Sequence, residues 1–277
     1  MANMTNTLRT LIHGGNCMLG PGVFDGLSAR VVEDAGFDFV HASGGAIARS
    51  IGYPDLGLVT MTEMLVRIAE ISNAVGIPTV ADADTGFGDA LNAARCAREY
   101  RKAGVAALHV EDQVFPKRCG HFDGVEVISA SEMADKVKAM KDAVGDDLLI
   151  IARTDAKKIE GLSSAVERMN AYLEAGADIA FVEAIDTQDE LRRVGALPSP
   201  KLFNYAKSGE GEMFALEELA RLGFSLIVYP SDLQRAAIRS MDLVAEELRK
   251  FGHCGRIQKS LCSPIRRDGL VEKNTAT

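Results

Sequence analysis

The chain of 277 residues contains no tryptophan, and aromatic residues make up only 6% of it. Base-stacking platforms are therefore scarce, no basic stripe accompanies them, and the net charge is −8. Nucleic-acid binding is excluded as an expectation on these grounds. Cysteines are few as well: five, at positions 17, 96, 119, 254 and 262. The odd count and the lack of a C-x-x-C pair argue against a disulfide framework and for a reducing compartment. No apolar run approaches the ~18 residues of a membrane span. Residues 1–15 hold one Lys or Arg and no apolar core, so no secretory signal is expected. These absences together predict a cytoplasmic protein that does not engage a membrane.

A G-x-G-x-x-G dinucleotide loop is also missing after the first β-rich run. What is present is an alternation of short apolar runs with helix-period segments. Strands are expected near Cys17–Leu19, Phe37–His41, Thr79–Asp82, Ala107–Glu111, Leu148–Arg153, Ile179–Glu183, Lys201–Asn204 and Leu226–Tyr229. Helices are expected over Thr62–Val75, Ala90–Ala103, Ala130–Ala143, Leu162–Ala175 and Ala215–Leu222. Gly36, Gly104 and Gly176 each follow a helical segment and precede a strand, the usual position for a helix-stopping glycine. Eight such units without a linker predict one α/β domain closed as a (β/α)8 TIM barrel over residues 1–250. Residues 251–277 lose periodicity and form a C-terminal extension that docks on a neighbour or frays.

The active site of such a barrel lies at the C-terminal ends of its strands. Those ends carry Ser43-Gly44-Gly45, Asp82 with Asp84, Glu111, Arg153, Glu183, Asn204 and Tyr229. One polar residue after a strand is commonly a helix cap, but the convergence of so many is a functional signal. Asp82, Asp84 and Glu111, with Asp55 from a nearby loop, offer hard oxygen ligands. They suit magnesium, with manganese able to substitute, and not zinc, for which no His/Cys set is clustered. Asp84 also has a plain structural use as a cap for the following turn. The backbone N–H groups of Ser43-Gly-Gly45 could cradle a carboxylate or oxyanion. Arg153 could pair with the surrounding carboxylates or clamp a substrate carboxylate with two hydrogen bonds. Lys117, Arg118 and His121 flank Cys119, which should lower its thiol pKa and fit it for proton transfer.

Ser43-Gly-Gly45, Tyr53-Pro-Asp-Leu-Gly57, Asp82-Ala-Asp-Thr-Gly-Phe-Gly88, Glu111-Asp-Gln113, Lys117-Arg-Cys-Gly-His121 and Ala152-Arg-Thr-Asp155 together resemble the isocitrate lyase/phosphoenolpyruvate mutase superfamily. The Lys117–His121 stretch resembles its methylisocitrate and dimethylmalate lyase branch, and is shared with oxaloacetate hydrolase and carboxyphosphonoenolpyruvate mutase-like members. The resemblance implies a homotetramer with its last barrel helix exchanged between subunits. It also implies magnesium held directly by Asp82 and through waters by Asp55, Asp84 and Glu111. The expected activity is cleavage of a 2-hydroxy di- or tricarboxylate, a small-molecule carboxylate, to an α-keto acid and a second carboxylate. Phosphorus–carbon bond chemistry and oxaloacetate hydrolysis or decarboxylation are the alternatives. The candidate catalytic residues are Cys119, His121, Glu111 and Arg153. Candidate substrate contacts are Ser43, Gly44, Gly45, Asp82, Lys117, Arg118, Gly120, Arg153, Glu183, Asn204 and Lys207. Two positions depart from the pattern: Val125 stands where many relatives carry lysine, and Lys207 where lyase relatives tend to carry glutamate. A lysine at 207 would favour a substrate with a different or additional anionic group.

Overall fold

The computed structural model describes residues 4–15, 17–118, 124–205 and 214–272. Eight strands run β1 (Met18–Val23), β2 (Val40–Ala42), β3 (Thr79–Asp82), β4 (Ala107–Glu111), β5 (Leu149–Thr154), β6 (Ile179–Val182), β7 (Lys201–Asn204) and β8 (Phe224–Tyr229). All neighbours pair in parallel and β1 closes on β8, giving a complete barrel. The helices are α1 (Met4–His13), α2 (Gly26–Asp34), α3 (Gly44–Ser50), α4 (Met61–Ala74), α5 (Ala90–Lys102) and α6 (Ala130–Val144). They continue as α7 (Lys157–Glu160), α8 (Leu162–Glu174), α9 (Gln188–Gly195), α10 (Leu216–Arg221), α11 (Asp232–Phe251) and α12 (Pro264–Glu272).

Strand parity decides which side chains meet inside the barrel, because alternate residues face opposite sides. Phe39, Val80, Ala107, Leu149, Ile151, Ile179, Phe181, Leu202, Leu226 and Val228 form one buried cluster, the lumen. Their sequence neighbours Val40, Ala81, Leu108, Ile150, Ala180, Phe203 and Ile227 belong to a second cluster, between the sheet and the helices. Counting on by two along each strand puts His41, Asp82, His109, Glu111, Arg153, Glu183 and Asn204 on the lumen side. Leu8 and Ile12 of α1 join the lumen cluster. Thr5 donates to the Asp147 carbonyl just before β5, 2.8 Å away. The lumen is thus plugged at its N-terminal end and opens at the other, where its residues turn polar.

Glycine ends α2, α5 and α8 as the sequence predicts: Gly36, Gly104 and Gly176 have φ of 84°, 84° and 110°. Residues 264–272 of the C-terminal extension form a helix. Its helix α12 lies on α2 of the same chain, with Leu270 buried and Arg266 paired to Asp34 at 2.8 Å. Among the described residues no helix is long and apolar enough to cross a membrane.

Barrel closure depends on small residues in β1. A Cβ on Gly22 would stand 2.3 Å from the Pro230 carbonyl oxygen beyond β8, a backbone atom that cannot swing away. Gly22→Ala should therefore destabilise the fold by about 1–3 kcal/mol, the range for overpacking a tight interior. Urea denaturation measures this, and an unchanged midpoint would contradict the closure argument.

Candidate active site

The lumen opens into a cavity of about 150 Å³ bordered by Ser43, Asp55, Asp82, Lys117, Arg153 and Glu183, with Asn204 beyond. Asp82 ends β3. Its Oδ1 accepts from the Asp84 N–H at 3.0 Å, and its Oδ2 accepts from the Gly44 N–H at 3.1 Å. Tyr100 of α5 donates to the Asp82 carbonyl at 2.9 Å and fixes the strand end from behind. Burial pushes the Asp82 carboxyl upward, but the charges of His109, Lys117 and Arg153 outweigh it and hold the group well below its usual range. Asp84 lies two residues on, with an unusual φ of 45°. It does not cap α5; Asp89 does, through the N–H groups of Leu91 and Asn92. Burial, relieved only in part by Lys117, pushes Asp84 up to about 6.

The paired glycines expected to cradle a substrate carboxylate have a steric task of their own. A Cβ on Gly44 would come within 2.6 Å of Asp82 Oδ2, and one on Gly45 within 2.6 Å of Asp55 Oδ2. The Gly44 N–H is already engaged by Asp82, whereas Ser43 and Gly45 border the cavity. Ser43 caps α3, its hydroxyl accepting from Ala46 N–H at 3.4 Å.

Lys117 is almost wholly buried, and its Nζ lies 2.6 Å from Asp55 Oδ1 and 2.8 Å from Asp84 Oδ1. Burial alone would lower its pKa, but Asp84, Glu111, Asp82 and Asp55 raise it well above the ordinary lysine range. Expected among the substrate contacts, Lys117 borders the cavity and also sits on the carboxylates. Arg118 borders the cavity, and its N–H donates to Gln113 Oε1 at 2.9 Å. Cys119, Gly120, His121 and Lys207 lie outside the described residues.

Arg153 makes the other cationic centre. It grips Asp155 with two hydrogen bonds, at 2.9 and 2.8 Å, and its Nη atoms lie 3.3 Å from Glu111 and 3.7 Å from Glu183. Its guanidinium lies over the Phe181 ring, 5.1 Å from the centroid. Asn204 donates to Glu183 at 3.2 Å. Burial raises the Glu111 carboxyl well above normal. Both Glu111 oxygens are buried without a hydrogen bond, as is Asp84 Oδ1, whose contact with Lys117 lacks hydrogen-bond geometry. Hard anionic oxygens left in this state fit an oxygen-preferring divalent cation. Among the described residues no three His, Cys, Asp or Glu side chains form a cage for a metal. Magnesium is an oxygen-preferring cation that keeps several waters and shares its ligands with substrate.

The model of the phosphoenolpyruvate phosphomutase family matches residues 8–249. The chain belongs to this family. It is 43% identical to 2,3-dimethylmalate lyase of Eubacterium barkeri over 86% of this chain and 84% of that protein. It is 38% identical to 2-methylisocitrate lyase of Bacillus subtilis, over 90% of this chain and 83% of that protein. The crystal structure of a phosphonopyruvate hydrolase complex with oxalate and magnesium superposes with a TM-score of 0.89 at 28% identity, covering 99% of this chain and 96% of that one. The superposition shows that the phosphonopyruvate hydrolase shares the fold that brings the strand-end residues together here.

Two groups in this family member escape a reading of strand ends. His41 and His109, one layer down in the lumen, bring their Nε2 atoms to 3.0 Å, and His109 Nδ1 lies 3.5 Å from Asp82. Their parity along β2 and β4 was the signal that could have found them. Asp112, facing away from the lumen, is fully buried and accepts from Thr154 Oγ1, Asp155 N–H and the Tyr172 hydroxyl at 2.7, 3.0 and 2.8 Å. It anchors the β5 end from which Arg153 and Asp155 project.

Burial, reinforced by His109, lowers His41 from 6.5 to about 3. Between those values the unfolded chain binds more protons at this residue than the folded one does. Its contribution is therefore present above 6.5 and is lost as pH falls through the folded value. Replacing His41 by Asn should flatten the fall in unfolding free energy between pH 6.5 and about pH 4. Urea titrations across that range check this, and parallel curves for both proteins would contradict it.

Proposed function

We propose that the chain is a magnesium-dependent carbon–carbon lyase. Its substrate would be a 2-hydroxy di- or tricarboxylate such as a 2-alkylmalate or 2-methylisocitrate, cleaved to an α-keto acid and a second carboxylate such as succinate. The observation that carries this reading is one small cavity lined by Asp55, Asp82, Glu183, Lys117 and Arg153, with Glu111, whose oxygens lack hydrogen bonds, buried 3.3 Å from the Arg153 guanidinium. The relatives named as dimethylmalate and methylisocitrate lyases support the substrate class. Asp82 would hold magnesium directly, with Asp55, Asp84 and Glu111 reaching it through waters. When bound, the ion would supply Lewis acidity toward the substrate's hydroxyl and carboxylate oxygens.

The remaining chemistry falls to the chain's own groups. Arg153 would fix a substrate carboxylate, with Ser43, Gly45, Glu183 and Asn204 shaping the wall around it. Glu111 and Asp84, buried at the barrel mouth, would receive the hydroxyl proton. As that proton leaves, the carbon–carbon bond next to the carbinol breaks. Its electron pair passes to the carbon beside the second carboxylate, and the carbinol carbon becomes the keto group. Cys119, with His121 and Arg118 near it in sequence, would donate a proton to that carbon and complete the second product. Gly120 would leave the backbone beside the thiol free of a side chain. Lys207 would meet a further anionic group of the substrate.

The catalytic unit in this reading is residues 1–250, with 251–277 as an extension, in a homotetramer in the cytoplasm. The assembly reading is supported by α11, which leaves Ile238, Met241, Leu243 and Leu248 exposed along one helix. Sedimentation of the full chain should give four times the 29.7 kDa subunit mass; a monomer would contradict the assembly.

Activity is tested by α-keto acid release from 2,3-dimethylmalate, 2-methylisocitrate, oxaloacetate and phosphonopyruvate, with and without magnesium. Release from a 2-hydroxy acid that stops on chelation is expected; turnover of phosphonopyruvate alone would overturn the lyase reading. Lysine cannot reproduce the two-bond grip of Arg153 on Asp155. Arg153→Lys should therefore lower kcat/KM by about 10²–10³, the scale for losing one transition-state contact. An unchanged kcat/KM would remove Arg153 from the site.

A further inference from the structure

Lys117 stands in a place that a surface-loop lysine would not choose. Its ammonium touches Asp55 and Asp84 together, at 2.6 and 2.8 Å, and its side chain is 5% exposed. The backbone that carries it is fixed on two sides. A Cβ on Gly57, where φ is 66°, would meet the Lys117 backbone nitrogen at 3.1 Å, so the Asp55–Gly57 turn lies directly against it. The next residue, Arg118, donates its N–H to the Gln113 side chain at 2.9 Å. The position of the ammonium is thus built by the turn that supplies Asp55 and by the segment that leaves β4.

Asp55 and Asp84 are also two of the carboxylates assigned above to hold magnesium's waters, and this inference rests on that reading. A carboxylate oxygen already in contact with an ammonium is a poorer acceptor for a metal-bound water. A univalent and a divalent cation on the same few oxygens repel each other strongly in a buried site. We propose that Lys117 is an internal competitor for the divalent cation: its ammonium balances Asp55 and Asp84, and magnesium binding displaces it from them. Magnesium affinity is then set by the difference between two cations for one carboxylate set. The apparent dissociation constant is the intrinsic one divided by the fraction of molecules in which the ammonium does not hold the site. The displaced ammonium is free to face the cavity, where an anionic substrate would meet it.

Calorimetric titration of magnesium chloride into the full-length protein, without substrate, tests the proposal. Lys117→Gln should bind magnesium at least about tenfold more tightly than the wild type, as expected when a competing state populated tenfold is removed. Lys117→Arg keeps the charge and should stay within a few-fold of the wild type. Lys138→Gln removes the same charge from an exposed pair with Asp142 and should also leave the affinity where it is. Unchanged or weaker binding in Lys117→Gln would overturn the proposal, and so would equal tightening in Lys138→Gln. A second readout needs no variant. Magnesium should raise reductive methylation of Lys117 several-fold in the wild type, as mapped by peptide mass spectrometry; protection of Lys117 would overturn the proposal. If the wild type and all variants fail to bind magnesium, the metal reading fails and the proposal falls with it. Wild-type binding unaffected by Lys117→Gln defeats the proposal alone.

Discussion

The structure depends on keeping several carboxylates close together, out of water, at one end of a barrel. Asp82, Asp84, Glu111, Asp155 and Glu183 are all nearly buried. Burying unpaired charge costs several kcal/mol per ion even after relaxation, so such a group persists only where cations answer it. Arg153 and Lys117 are the buried answers, each touching at least two carboxylates. Their balance is incomplete: Glu111 keeps two oxygens without hydrogen bonds. This residual demand for positive charge is what the proposed metal-assisted chemistry on an anionic substrate would use.

The barrel makes the cluster affordable by supporting each member from behind. Tyr100 holds the end of β3, while Asp112, Thr154 and Tyr172 hold the end of β5. His41, its pKa lowered to about 3 by burial, and His109 fill the layer beneath Asp82 with their Nε2 atoms 3.0 Å apart. Flexible supports would let like-charged groups separate, and the field that perturbs Asp82, Asp84 and Glu111 in different directions would collapse. A rigid scaffold with site residues at its strand ends therefore suits acid–base work better than the same residues on loops.

Much of this was legible in the sequence because strand parity and the C-terminal strand ends are sequence properties. The bounds of β3, β4 and β7 agree with the apolar runs residue for residue. β1 and β2 are less well anticipated. β1 runs on through Gly20, Pro21 and Gly22, where small residues fit a tight closure and not a β-rich pattern, and β2 holds only Val40–Ala42. The site shows the same division. Asp82, Glu111, Arg153, Glu183 and Asn204 follow from parity. The place of Lys117 does not, because it is set by a non-local contact with the Asp55–Gly57 turn. Asp112 was visible only as part of a motif, since nothing local tells a buried outward-facing carboxylate from a site residue.

The central claim is that the cavity breaks a carbon–carbon bond and protonates the departing carbon once. Proton NMR of 2,3-dimethylmalate incubated with the protein and magnesium in deuterium oxide observes both events together. The account predicts pyruvate and propionate in equal amounts, with one deuterium at C2 of the propionate. Unchanged dimethylmalate, or keto acid formed at the same rate without magnesium, would contradict it.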